Sequence, residues 1–178
     1  MKTYIREVLI TLTLAIVIFF LIQATVDSSV VVGCSMEPSL DDGQRLLINK
    51  VVYMFHEPER GDIIVFDPPD SLGSENDFIK RIIGLPGERI EIKDGVVYIH
   101  QDGQVSPLDE PYIEDPPRYD FQGEVIPDNE YFVLGDNRNN SNDSRGGWTV
   151  SREDIVGKAW LSIWPLAEWG LMPNYSLP

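Results

Sequence analysis

The chain has 178 residues, 43% of them hydrophobic and 24% charged, which is the composition of one globular domain with a short appendage and excludes a disordered chain. Its 14 Lys+Arg against 29 Asp+Glu give a formal net charge of -15, which argues against a nucleic-acid partner, because phosphate binding needs clustered positive charge. One cysteine excludes an intrachain disulfide and a Cys-based zinc cluster; with only two histidines, and Arg60 where a His56-Glu57 zincin helix would need its second histidine, no metal and no cofactor is expected.

Val8 to Val26 reads VLITLTLAIVIFFLIQATV and carries no charge. As a helix at about 1.5 Å per residue it spans roughly the hydrocarbon thickness of a bilayer. It is apolar all round, unlike the amphipathic stripe of a core helix. Lys2 and Arg6 precede it, and Asp27, Glu37, Asp41 and Asp42 are among the first charges after it. The positive-inside rule then predicts a cytoplasmic N-terminus over 1–7, an anchor over 8–26 and an extracytoplasmic domain over 27–178, with the lipid bilayer as a partner. A cleaved signal peptide is the rival reading. Its apolar core would be about 7–15 residues long, and Ala24-Thr25-Val26 is a poor cleavage site.

The remainder reads as β structure. Arg45 to Val52, Asp62 to Phe66 and Phe78 to Gly84 are β-branched runs between turn signals. Glu88 to His100 is a hairpin turning at Asp94-Gly95, a type I′ signal. Tyr131 to Leu134 and Val156 to Trp164 are further strands. Asp67 to Asp77 and Gln101 to Asp128, rich in Pro, Asp and Gly, read as loops. Without βαβ alternation a doubly wound sheet is excluded. The expected fold is mostly β, with antiparallel sheets forming a half-closed, barrel-like core behind one helix. Trp160, Trp164 and Trp169 read as a core strand and packed tail, or as an aromatic surface against a bilayer.

Four segments carry candidate chemistry. In Gly33-Cys34-Ser35-Met36-Glu37-Pro38-Ser39-Leu40, Ser35 follows a Val30-Val31-Val32 run. It is a solvated turn serine or a nucleophile held at a strand end, and a serine nucleophile needs a base. No Gly-x-Ser-x-Gly elbow is present, and nothing favours Cys34 over Ser35. The second segment is Gly61 to Phe66. The third is Lys80-Arg81-Ile82-Ile83-Gly84-Leu85-Pro86-Gly87. Alternation places Lys80 on one strand face with Phe78 and Ile82. Such a lysine either snorkels at an edge or is desolvated, and a desolvated lysine loses its proton more easily. As a neutral amine it takes the proton of a serine hydroxyl. The fourth, Gly135 to Arg145, is too polar for a strand. It is a solvated loop or a hydrogen-bonded prop in which Ser141 reaches Lys80, while Asp143–Arg145 and Asp136–Arg81 pair bidentately.

Together, in this order and behind one apolar helix, the four segments resemble those of type I signal peptidases. The family pattern is Ser-Met-x-Pro-Thr/Ser-Leu, Gly-Asp-Ile-x-Val-Phe, Lys-Arg-Val/Ile-Ile-Gly-Leu-Pro-Gly and Gly-Asp-Asn-Arg-x-x-Ser-x-Asp-Ser-Arg. The likeness runs from the anchor to about Pro165. It implies a β catalytic fold and a Ser-Lys dyad that removes signal peptides from precursor proteins. Ser35 matches the nucleophile and Lys80 the general base. Ser141 matches the serine that orients the lysine, and Asp143–Arg145 with Asp136–Arg81 match structural pairs. Met36, Leu40, Phe78 and Ile79 match the pocket for small residues before the cut. The Ser35 backbone N–H would be an oxyanion donor. Some members place a second donor, a serine hydroxyl, where this chain has Gly33; either that donor is missing here and Gly33→Ser raises kcat, the favoured expectation, or Gly33 holds a φ > 0 conformation that aims a backbone N–H, and Ser and Ala hurt alike. Only roughly 55 residues separate Lys80 from Gly135, which leaves no room for the large second domain of longer members.

Two other classes share these features. A self-cleaving repressor-type Ser-Lys protease is opposed by the apolar helix and the acidic charge. A catalytically inactive tethered interaction module would tolerate loss of Ser35 or Lys80, and both are present.

Overall fold

The computed structural model describes residues 2–74, 76–173, 175 and 177. Helix α1 (Lys2–Thr25) leads into β1 (Val26–Val30) and β2 (Arg45–Asn49). Strands β3 (Ile63–Phe66), β4 (Phe78–Gly84), β5 (Arg89–Lys93), β6 (Val96–Gln101), β7 (Gln104–Pro107) and β8 (Phe121–Val125) follow. Then come β9 (Glu130–Leu134), β10 (Val150–Ser151), β11 (Ile155–Trp164) and β12 (Gly170–Leu171). The larger sheet has the order β1-β2-β11-β3-β4-β9-β10, with β12 on β11, and the smaller one β7-β6-β5-β8. Pairing is antiparallel throughout the described strands.

The fold is thus the mostly antiparallel β architecture expected, an open curled sheet carrying one apolar N-terminal helix. Strand β3 shows how the sheet is buried on both faces. Ile63 and Val65 join a core with Met36, Leu40 and Ile48, while Ile64 and Phe66 join one with Tyr53, Ile82 and Tyr131. Strand β11 curls the sheet. It pairs β3 through Ile155–Lys158 and β2 through Lys158–Trp164, with irregularities at Ala159/Leu161 and Ser162/Trp164 that raise the local twist.

Three sequence expectations need correction. The helix ends at Thr25, and Val26 already pairs with Asn49 in the sheet. The stretch from Gln101 to Asp128 holds two strands, β7 and β8. Strand β7 is fully exposed and so lacks the apolar alternation that marks a strand, but the Asp102-Gly103 turn before it repeats the Asp94-Gly95 signal, with φ of 52° and 78°. Finally, Trp160, Trp164 and Trp169 are exposed, so these rings are not the inward side of a core strand.

Candidate active site

Ser35 lies in the turn that follows the extended Val31-Val32 segment, and Lys80 is the third residue of β4. Strand pairing buries Lys80 between β3 and β9, and its Nζ donates to Ser35 Oγ at 2.7 Å and to the Ile79 carbonyl at 3.0 Å. The Phe78 ring centroid lies 5.4 Å from Nζ. Burial pushes the Lys80 pKa from its ordinary 10.5 down to about 8, against the opposing pull of Asp143 and Asp136. A large share of this lysine is therefore neutral in mildly alkaline solution, beside a serine hydroxyl.

The turn bearing Ser35 is gripped by the polar segment after β9. The Asn137 backbone N–H donates to the Ser35 carbonyl at 3.0 Å, and its Nδ2 donates to the Cys34 carbonyl at 3.1 Å. Asn140 Nδ2 reaches the Cys34 sulfur at 3.1 Å. Asp136 holds this segment to β4 through a buried bidentate pair with Arg81, at 2.8 Å to Nε and 2.6 Å to Nη2. Asp143 takes the Arg145 guanidinium at 2.6 and 2.8 Å and the Gly135 N–H at 3.1 Å. Both ion pairs are bidentate, the geometry that fixes a loop as well as stabilising it.

A cleft of about 700 Å³ opens over Ser35 and Lys80. Ser28–Val32 form one side and Asp77–Ile79 another, with Met36 in the lining. Three of the four expected pocket residues, Met36, Phe78 and Ile79, thus face it. Leu40 does not: it is buried in the core with Leu46 and Ile48, because the turn after Pro38 directs it inward. Two further expectations change. Ser141 Oγ is buried but makes no hydrogen bond, and the lysine bond expected of it is not formed. Gly33 has φ +83°, and its N–H donates to Asp42 Oδ1 at 2.7 Å, so its amide is committed away from Ser35. The Ser35 N–H has no hydrogen-bond partner among the described residues.

Sequence reasoning passed over Asn137 and a third buried pair. Arg138 is fully buried, donating to Glu110 through both Nη atoms and to the Gly135 carbonyl at 3.2 Å. The Arg81 guanidinium stacks 4.0 Å over Tyr112, whose hydroxyl donates to Glu110 at 2.7 Å. Glu110 and Tyr112 come from the stretch read as loop, and nothing local in it signals that partnership. For Arg138 the signal was its place in the same polar run as Arg145.

The sequence matches, over residues 3–164, the family described as signal peptidase, peptidase S26. It is 40% identical over 179 residues to probable signal peptidase I-1 of Synechocystis sp., covering 97% of this chain and 89% of that protein. Signal peptidase I of Leptolyngbya laminosa is 46% identical over 149 residues, covering 79% and 71%. Signal peptidase IB of Staphylococcus aureus is 34% identical over 187 residues, covering 94% of both. A crystal structure of a signal peptidase I from Enterococcus faecalis aligns with 58% of this chain and 97% of its own, at 32% identity and a TM-score of 0.49.

Proposed function

The chain belongs to the signal peptidase family, peptidase S26, and from that premise we propose that it is a membrane-anchored serine endopeptidase that removes signal peptides with a Ser35–Lys80 dyad. The observation that carries this reading is the 2.7 Å contact between Lys80 Nζ and Ser35 Oγ, made by a buried lysine whose pKa burial has lowered.

In this mechanism the neutral Lys80 amine takes the Ser35 hydroxyl proton as Oγ attacks the scissile carbonyl carbon. The negative charge on the carbonyl oxygen is met by the Ser35 N–H, which has no other hydrogen-bond partner among the described residues. Collapse breaks the C–N bond, and the Lys80 ammonium returns its proton to the departing amine of the mature protein. The signal peptide is left as an ester on Oγ. A water, deprotonated by the same amine, then attacks the ester, freeing the signal-peptide carboxylate and restoring the serine. Asn137, Asp136 and Asp143 act by fixing the two backbones, not by touching the reacting atoms.

The substrate lies extended between Val30–Val32 and the start of β4. Met36, Phe78 and Ile79 leave room only for small side chains at the first and third positions before the cut. The 22-residue apolar stretch Tyr4–Thr25 acts as the anchor, and Lys2 and Arg6 keep the N-terminus in the cytoplasm. The pairing Val26–Asn49–Lys158–Ile64–Lys80 puts the base on the same rung as the first residue after the helix, four strands away. At about 4.8 Å per strand, that is roughly 19 Å across the sheet.

The test is cleavage of a peptide whose signal ends in Ala-x-Ala, with Ser35→Ala alongside. Wild type is expected to cut after the second Ala and the variant to be inert. Processing by Ser35→Ala at a substantial rate would remove the assignment.

A further inference from the structure

One guanidinium joins the elements that hold Ser35 and Lys80. Arg81 follows Lys80 in β4 and is fully buried. Its Nε and Nη2 take Asp136, the neighbour of Asn137 in the segment that grips the Ser35 turn. Nη2 also donates to Ser39 Oγ at 3.3 Å, in the turn after Ser35, and Nη1 donates to the Gly61 carbonyl at 2.8 Å, just before β3. With its N–H edge committed to these segments, the orientation of this planar group fixes how they meet, and what is left to hold the plane is its face.

Two tyrosines lie against it. The Tyr112 ring centroid is 4.0 Å from the Arg81 Cζ. The Tyr175 centroid is 5.4 Å from it, and Tyr175 packs on Tyr112 with ring centroids 5.2 Å apart, tilted by 46°. Both are within the range in which an aromatic face attracts a cation. Tyr175 is delivered by the segment after β12. Gly170 and Leu171 pair with Ser162 and Leu161 of β11, and the Met172 N–H donates to the Trp160 carbonyl at 2.9 Å. Further on, the Tyr175 carbonyl closes against Gly61 so tightly that no side chain fits there, and Leu177 packs on the core of the smaller sheet. Tyr175 lies past residues 3–164, over which the chain matches its family.

We propose that Tyr175 is a positioning residue for the cleavage reaction: its ring holds the Arg81 guanidinium and keeps water from the Arg81–Asp136 pair, and through that pair it fixes the Ser35 turn against Lys80. This rests on reading Ser35 and Lys80 as the dyad. The buried pair is strong only while water is kept out, and loss of the ring face frees the guanidinium to tilt. A tilt of this joint carries Ser39 and Asp136 with it, and small displacements at a nucleophile lower the rate steeply. Tyr175 is not among the residues lining the cleft over Ser35, so the effect falls on kcat and not on KM.

The experiment uses the full chain and three replacements of Tyr175: Tyr175→Phe, Tyr175→Leu, and pentafluorophenylalanine. The fluorinated ring keeps the shape and apolar character of Phe while reversing the charge of its face, so it carries the test even where the Leu variant does not fold. Cleavage of the Ala-x-Ala peptide is measured well below each variant's unfolding temperature, with Ser35→Ala alongside. Tyr175→Phe is expected to stay within about twofold of wild type, since it keeps the ring face. Leu and the fluorinated ring are expected to lower kcat by about three- to tenfold at unchanged KM. A fluorinated ring as active as Phe overturns the proposal, as does a Leu variant with wild-type kcat. So does a loss carried by KM, which would place Tyr175 against the substrate. An inert Ser35→Ala beside unimpaired Tyr175 variants overturns the positioning role and leaves the dyad standing; substantial cleavage by Ser35→Ala overturns both.

Discussion

Gly135 is pressed against Ser35: a methyl group built on its Cα would sit 2.4 Å from the Ser35 carbonyl oxygen and 2.3 Å from Ser141 Oγ. Neither distance is tolerable, and the first is to backbone. Gly135→Ala is therefore expected to displace the turn that carries Ser35, the proposed nucleophile. A shift of about 1 Å there costs on the order of 10²-fold in kcat/KM. Adding Ser141→Gly removes the side-chain clash, with Oγ at 2.3 Å and Cβ at 2.6 Å, and leaves the backbone one, so the double variant should stay impaired. Full recovery in peptide cleavage would show that the Ser35 contact is not what excludes a side chain.

The rate should rise with pH through about 8. In the proposed dyad only the neutral amine accepts the serine proton, and burial holds the Lys80 pKa near that value. Asp143 raises this pKa, so Asp143→Asn is expected to shift the acid limb of kcat/KM to lower pH while lowering the maximum through loss of the Arg145 pair. Lys80→Arg should be inactive, since a guanidinium keeps its proton. An acid limb near 10 would mean that the lysine acting as base is not buried.

The same burial makes Lys80 costly to the fold. Below pH 8 both the folded and unfolded chains carry the ammonium, and the folded one bears its full desolvation. Between 8 and 10.5 the unfolded chain binds the extra proton, so wild-type stability rises with pH. Lys80→Met is expected to be inactive and more stable at pH 7, by up to about 3 kcal/mol. The advantage should fade as pH approaches 10.5. Urea midpoints at pH 7 and 10.5 measure both; a less stable variant at pH 7 would count against a desolvated lysine.

At Gly33 the expected gain from a serine hydroxyl gives way to backbone strain. Its φ of +83° disfavours any side chain, although the space around it is open. Gly33→Ser and Gly33→Ala should each lose about 1–2 kcal/mol of stability. Neither is expected to raise kcat. A Gly33→Ser enzyme with higher kcat than wild type would show that the added hydroxyl reaches the developing oxyanion despite the strain.

Sequence alone carried what depends on neighbours along the chain. The uncharged run Val8–Val26 announced a membrane-length helix, because hydropathy is summed over consecutive residues. The alternation in Phe78–Gly84 gave β4 its limits as observed, and Asp94-Gly95 gave the β5–β6 hairpin, both with φ > 0. The polar run Gly135–Arg145 suggested ion pairs for Asp136 and Asp143, and both form. What only the tertiary structure decided were relations between segments distant in sequence. Strand β7 exists through its pairing with β6 and not through burial. Arg138 finds Glu110 across 28 residues, a contact that no local pattern in either segment encodes. Leu40 turns into the core and Ser141 Oγ is buried without a hydrogen bond to Lys80, since side-chain direction follows from backbone dihedrals that residue type does not dictate. The Lys80 pKa is of the same kind: alternation placed the lysine among apolar neighbours, but only the closed packing of β3, β4 and β9 keeps water from it.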